Sequence, residues 1–467
     1  MPSTLLPIQA HGRQRALVVA FCCFLLLPLL MATVAALVAQ AQESASRSWA
    51  SIGRYHPAVW GFSPKYASDH LVLLGTNAGE KLSVRGVYRS ADDGDTWADS
   101  SEGLIPKKRH YYMTISFSPD FAQDQTVWLT GQKTGLEAGE GYGGMFESTD
   151  GGKTWTELAI KGFPYREMTT RVSQTIIGMA ISSKITQDGI MVAAAAGEGV
   201  YGSKDKGRNW ELLNPVKDVF GVYAPPSFAD EPFLALATTG QQVMISTDGG
   251  KTFVSSGKGL PEGMRGVRGV AFSQNFAKDH RMFCYGLPGV FASEDAGASW
   301  RQIAAPEGSA SITAMTAVGD FETYGSIAFS TDDSKVYLSD DMGKTFQSLN
   351  AESLLNYGVD TITFPPDYVS NPQLYVSSQD GIFRYAAPRS GGAQATAEAE
   401  AVNVDATRVA RATTVAGLKF VPEKSDRVET GCIAYLFAPA LPLLVLTGRR
   451  LRPRSEDQTR STSQDRT

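Results

Sequence analysis

Six aspartates sit in one recurring chemical setting, Ser-x-Asp-x-Gly-x-(Thr/Ser/Asn)-(Trp/Phe). The copies are Ser90/Asp92/Gly94/Thr96/Trp97, Ser148/Asp150/Gly152/Thr154/Trp155, Ser203/Asp205/Gly207/Asn209/Trp210, Ser246/Asp248/Gly250/Thr252/Phe253, Ser293/Asp295/Gly297/Ser299/Trp300 and Ser339/Asp341/Gly343/Thr345/Phe346. A carboxylate in such company could ligate a metal, move a proton or close a turn. The spacing favours the turn. Ser and Asp oxygens accept hydrogen bonds from backbone amides in a tight hairpin, the glycine takes a positive φ, and the aromatic returns to an apolar layer. Asp92, Asp150, Asp205, Asp248, Asp295 and Asp341 are therefore read as structural.

The rest of the chain offers little for catalysis. The five histidines (11, 56, 70, 110 and 280) have no ligand spacing, and neither a His-Glu-x-x-His pair nor a Gly-x-Ser-x-Gly elbow occurs. Cys22, Cys23 and Cys432 lie in or beside apolar runs, which leaves Cys284 as a lone thiol expected to be a small buried strand residue. The pairs Asp92/Asp93 and Asp340/Asp341 fall within the turns just described. The glycine-rich stretch 131–144 lacks the Lys-Ser/Thr ending of a phosphate loop and reads as a surface loop. No catalytic residue, metal or cofactor is expected. Cations are another matter: Lys108, Arg109, Arg171, Lys217 and Arg265, with Arg268 close by, recur at a similar distance before a Pro-aromatic turn. On an acidic protein they would make a local positive focus for a carboxylate-bearing partner.

The elements that carry these residues follow from two further patterns. Segments such as Phe62-Ser63-Pro64-Lys65-Tyr66 and Phe117-Ser118-Pro119-Asp120-Phe121 introduce short apolar runs, with looser versions around Ile185, Phe228, Phe276 and Phe321 and a seventh at Phe364-Pro365-Pro366. Short strands such as Val87-Tyr88 and Met145-Phe146 precede each Asp turn. Each unit thus reads strand, Pro-aromatic turn, strand, loop, strand, Asp turn, strand. The six aspartates are 58, 55, 43, 47 and 46 residues apart, a period that indicates a propeller. The fold class is all-β, a seven-bladed propeller of four-stranded blades over 48–387. The seventh unit stops before its fourth strand, so Trp49 to Arg54 is expected to complete it and close the ring.

These motifs resemble the Asp-box (BNR) repeats of sialidases, sortilin ectodomains and photosystem II assembly factors, over essentially the whole of 48–387. The resemblance implies that the Asp turns lie at the blade periphery, away from the ligand face. A sialidase-like enzyme would also carry an arginine triad, a Tyr/Glu nucleophile pair and an acidic general acid. The Arg-Ile-Pro signature of that family is missing, and Phe163-Pro164-Tyr165-Arg166 runs in a different order. Photosystem assembly factors resemble this design in holding an acidic peptide on a basic propeller face.

Length and composition place the propeller in the chain. The protein has 467 residues, 43% hydrophobic and 19% charged, with a net charge of −5, which argues against a nucleic-acid partner. Residues 1–43 hold an uncharged run, 16–39, behind Arg13 and Arg15, and read as a signal peptide or signal-anchor helix. Residues 388–430 read as a flexible linker and juxtamembrane segment, 431–448 as a transmembrane or sorting helix, and 449–467 as a basic, then disordered, cytoplasmic tail. The expected protein is a monomeric propeller anchored by its ends on the extracytoplasmic side of a prokaryotic cell surface. It binds a protein, peptide or glycan without chemistry of its own. The alternatives are a sialidase-like surface glycoside hydrolase on the same scaffold and an architectural envelope component.

Overall fold

The computed structural model describes residues 47–55, 57–76, 86–104, 109–136, 144–164, 166–168, 171–240, 242–262, 264, 266–308, 310–351 and 355–386. For 57–58, 109–111, 132–136, 166–168 and 171–174 the backbone alone is described. The two terminal apolar runs, the linker and the basic tail lie outside the described residues, as do Lys108 and Arg265.

The chain opens on β1 (Ser48–Gly53), and blade one follows as β2 (Pro57–Phe62), β3 (Val72–Thr76), β4 (Gly86–Ser90) and β5 (Ala98–Asp99). Blade two is β6 (Arg109–Phe117), β7 (Val127–Leu136), β8 (Met145–Ser148) and β9 (Thr156–Glu157). A short β10 (Arg166–Met168) precedes blade three, which is β11 (Arg171–Ile181), β12 (Met191–Ala195), β13 (Gly199–Ser203) and β14 (Glu211–Asn214). Blade four comprises β15 (Val219–Tyr223), β16 (Leu234–Thr238), β17 (Val243–Ser246) and β18 (Val254–Ser256). Blade five comprises β19 (Gly269–Phe272), β20 (Met282–Gly286), β21 (Gly289–Ser293) and β22 (Arg301–Ala304). Blade six comprises β23 (Ile312–Gly319), β24 (Gly325–Thr331), β25 (Val336–Ser339) and β26 (Gln347–Ser348). Blade seven is β27 (Thr361–Thr363), β28 (Leu374–Ser378) and β29 (Gly381–Ala386), completed by β1 in the sheet order β1-β29-β28-β27.

The architecture is the expected seven-bladed propeller of four-stranded antiparallel sheets. β1 pairs with β29 from Ser48↔Ala386 to Gly53↔Ile382, so the N-terminal strand closes the ring. Closure satisfies the one sheet edge that an open chain of blades would leave exposed. It is reinforced beyond the ladder. The Arg47 guanidinium, 8% exposed, donates to Asp340 at 3.2 Å and to the Tyr368 hydroxyl at 3.4 Å, both on neighbouring turns. The Trp49 indole donates to the Leu349 carbonyl at 2.8 Å. Blade seven meets blade one through the Tyr66–Tyr375 hydroxyl pair at 2.7 Å and through Arg384, which reaches the Asp93 carbonyl and the Asp95 carboxylate at 2.8 Å each.

The cores lie between blades. The middle strands, such as β3, β12 and β16, are buried along their whole length, because each sheet has a neighbour on both faces. Antiparallel alternation gives the disc two rims. The turns between first and second strands and the Asp turns share one rim, where the Asp93 amide donates to the His70 carbonyl and the Gly151 amide to that of Gln125. The starts of the innermost strands lie on the opposite rim. Ser48 and Ala386 both fall on the Asp-turn rim, so the two chain ends leave the propeller from that side.

Candidate functional site

All six Asp turns share one frame, in which the Ser hydroxyl donates to Asp Oδ1 and accepts from the glycine amide. In the second, Ser148 Oγ donates to Asp150 Oδ1 at 2.7 Å and accepts from the Gly152 amide at 2.9 Å. Asp150 Oδ1 accepts from the amides of Lys153 and Thr154 at 3.0 Å each, and Oδ2 accepts from Thr154 Oγ1 at 2.7 Å. The glycine is demanded twice over. Gly152 has φ +80, and a Cβ there would stand 2.5 Å from Leu73 of the preceding blade. Partial burial opposes the Asp150 charge, but the hydrogen bonds from Thr154 and its amide outweigh it and hold the carboxyl at about 2. The same balance holds Asp205 at about 2 and lowers Asp295 and Asp341; at Asp248, donation from Thr252 leads and the value is again about 2. A carboxylate stabilised as an anion by its own turn is a poor proton donor and has its lone pairs committed.

Three of the tryptophans that end these turns bond blade to blade. The Trp97 indole donates to Ile52 of the closing strand at 3.0 Å, Trp155 to Ser100 at 2.8 Å and Trp300 to Ser256 at 3.2 Å, each on the blade before. Trp210 instead donates to Gly207 of its own turn at 2.8 Å. Among the described residues no group of three or more His, Cys, Asp or Glu could hold a metal ion. Cys284 is fully buried in β20, where burial pushes its thiol well up.

The opposite rim is irregular. Arg109 opens β6 and Arg171 opens β11, Lys217 lies exposed just before β15, and Arg268 lies half-buried just before β19. Four consecutive blades therefore bring one of the singled-out cations to the start of an innermost strand, all on one rim. The glycine-rich segment read as a loop from residue 131 is strand up to Leu136. It pairs outward with β11 through Gln132↔Thr175, Lys133↔Gln174 and Leu136↔Val172, which fuses blades two and three into one nine-stranded sheet. The result is a four-stranded extension in the order β6-β7-β11-β10. The register Arg109↔Thr134, Gln132↔Thr175 and Arg166↔Ser173 places Arg109, Arg166 and Arg171 on the same face of it. Arg166 is a basic residue of the segment that enters blade three, and the folding of β10 back on β11 brings it to the face of Arg171.

At the inner edge of blades four and five two tyrosines meet two glycines. The Tyr223 ring runs back along its own strand, so that a Cβ on Gly221 would lie 2.8 Å from Tyr223 Oη. A Cβ on Gly269 would lie 2.6 Å from Tyr285 Cε1 and 3.4 Å from Tyr223 Oη. The Arg268 amide donates to the Tyr285 carbonyl at 2.8 Å. Deep enclosure raises both phenols, Tyr285 to about 12 against an opposing pull from Arg268, so both stay protonated donors at neutral pH.

A family model described as "BNR/Asp-box repeat" matches residues 146–157, which hold the second Asp turn. No curated protein matches the chain in sequence. Among solved structures 1004 chains match, a breadth that makes the fold silent about activity. "YCF48 bound to D1 peptide" superposes with a TM-score of 0.52 at 16% identity, covering 74% of this chain and 97% of that one. The GH74 enzyme of Niastella koreensis gives 0.52 at 15%, covering 72% of this chain and 53% of its own. The GH74 xyloglucanase of Xanthomonas campestris gives 0.51 at 15%, again over 72% and 53%. The chain thus spans about half of each GH74 chain and nearly all of the peptide-bound one. By its repeat and its fold it is an Asp-box, seven-bladed β-propeller.

Proposed function

We propose that this Asp-box propeller is a non-catalytic binding module whose rim opposite the Asp turns receives an acidic segment of a protein or peptide. The observation that carries the reading is the convergence of Arg109, Arg171, Lys217 and Arg268 at the innermost-strand starts of four consecutive blades. Lys108 and Arg265 belong to the same proposed face by their place in the sequence. Cations gathered around a channel mouth focus the field and draw an anionic ligand in. A neighbour bound to a peptide supports a peptide as the ligand class, and a glycan, as the name of the xyloglucanase neighbour implies, is the second reading.

The apolar runs at 16–39 and 432–447 support export and a tether at one or both ends. Among the described residues no helix is long and apolar enough to cross a membrane, and both runs lie outside them. Ser48 and Ala386 share the Asp-turn rim, so both chain ends meet the propeller on the side opposite the proposed binding rim.

The full chain is assayed against a glutamate-rich decapeptide, its glutamine counterpart and a lysine-rich one. The acidic peptide binds at least tenfold tighter than the others, and raising salt weakens it. Charge reversal at Arg109, Arg171, Lys217 and Arg268 together abolishes that preference. Equal binding of all three peptides, or turnover of xyloglucan or a sialoside by the chain, overturns the proposal.

A further inference from the structure

Tyr223, Tyr285 and Arg268 have a feature that the rest of the basic rim lacks: a recess made for them. Two glycines of adjacent innermost strands, Gly221 and Gly269, leave out the side chains that would otherwise fill the inner edge of blades four and five. Tyr223 and Tyr285 lean into that vacancy and converge over Gly269, with Arg268 next in the chain. Both tyrosines are half-buried at that inner edge. Among the described residues none accepts a hydrogen bond from either phenol or pairs with the Arg268 guanidinium.

Half-buried donors with no acceptor in the protein are open to the acceptors of a ligand. Two neutral O–H donors beside one uncompensated cation ask for an acceptor bearing a single negative charge. A planar carboxylate meets that demand, with one oxygen for the guanidinium and lone pairs left for the phenols. Resting on the binding reading above, we infer that Tyr223, Tyr285 and Arg268 form a carboxylate subsite at the channel mouth, which seats one acid group of the bound segment. The cations of blades two and three then act on the remainder of that segment.

The test uses the full chain with tyrosine ring carbons labelled and three short peptides of otherwise identical sequence. One has a free C-terminal carboxylate, one a C-terminal amide, and one a C-terminal amide with an internal glutamate. Either carboxylate peptide shifts the Tyr223 and Tyr285 resonances, and the two together tell a chain end from a side chain as the source. The uncharged amide leaves both resonances in place. Tyr285→Phe, Tyr223→Phe and Arg268→Met each weaken the preferred carboxylate peptide at least tenfold, while thermal unfolding stays where it was. Unperturbed tyrosine resonances at saturating carboxylate, or affinities within twofold of the parent for all three variants, overturn the subsite. If charge reversal at Arg109 and Arg171 still abolishes acidic-peptide binding in that case, the basic-rim reading stands without it. If no acidic peptide binds the parent chain, both readings fall together.

Discussion

The two rims of the propeller follow opposite rules. On the Asp-turn rim one arrangement is repeated six times, and in each copy the Ser hydroxyl donates to the Asp carboxylate two residues on. On the opposite rim a bulge recurs where five innermost strands pair with their neighbours, but the described side chains differ from blade to blade: blades two and three grow a shared sheet, blades four and five bring two tyrosines together, and cations enter from four blades. Repetition with internal satisfaction is what stability selects, since each copy does the same local job. Irregularity with unspent hydrogen-bonding capacity is what a ligand requires. The aspartates attract attention first in the sequence and are the least available chemically.

Breaking the Asp-turn rim should damage the whole molecule. Trp155→Ala removes a buried indole, its hydrogen bond to Ser100 and the seal between blades one and two. A loss of about 3–5 kcal/mol in unfolding free energy is expected by denaturant titration. An unchanged midpoint would mean that the indoles do not lock the blades.

Acid should act on the same rim, more mildly. Asp150, Asp205 and Asp248 have folded values of about 2 against an ordinary 3.8. A carboxyl whose value is depressed by folding stabilises the native state above its unfolded value, and that contribution disappears as pH falls through the folded value. Stability is therefore expected to be level above about pH 5 and to drop between about pH 4 and pH 2. Asp150→Ala forfeits the local bonds, costs about 1–3 kcal/mol at neutral pH and flattens the acid slope. An Asp150→Ala slope as steep as the parent's would detach the turns from acid sensitivity.

The opposite rim should respond least to a stability assay. Lys217→Ala takes an exposed cation from the mouth of blade four and is expected to change unfolding free energy by less than about 0.5 kcal/mol. It should nonetheless reduce the salt dependence of acidic-peptide binding. A large stability loss there would erase the contrast between the rims.

Legibility in the sequence follows the same division. The Asp turns, the blade number and the closing role of Trp49 to Arg54 could all be read, because they depend on local spacing and on a count that recurs along the chain. The extension of β7 could not. Gly131 to Leu136 has the composition of a loop and becomes strand by pairing with β11, about forty residues away, a choice of register that no local propensity dictates. The shared face of Arg166 and Arg171 was hidden for the same reason, since it depends on β10 folding back on β11.

The amino-acid sequence by itself determined a closed ring of seven blades, the structural fate of six aspartates and the burial of the tryptophans that end four of those turns. These are properties of short segments repeated, so each copy confirms the others. Tertiary structure alone decided that Tyr223, Arg268, Gly269 and Tyr285 meet, and that Arg109, Arg166 and Arg171 share a sheet face. Those meetings depend on how neighbouring blades curve around a common axis, and the period of the repeat does not encode which side chains then converge.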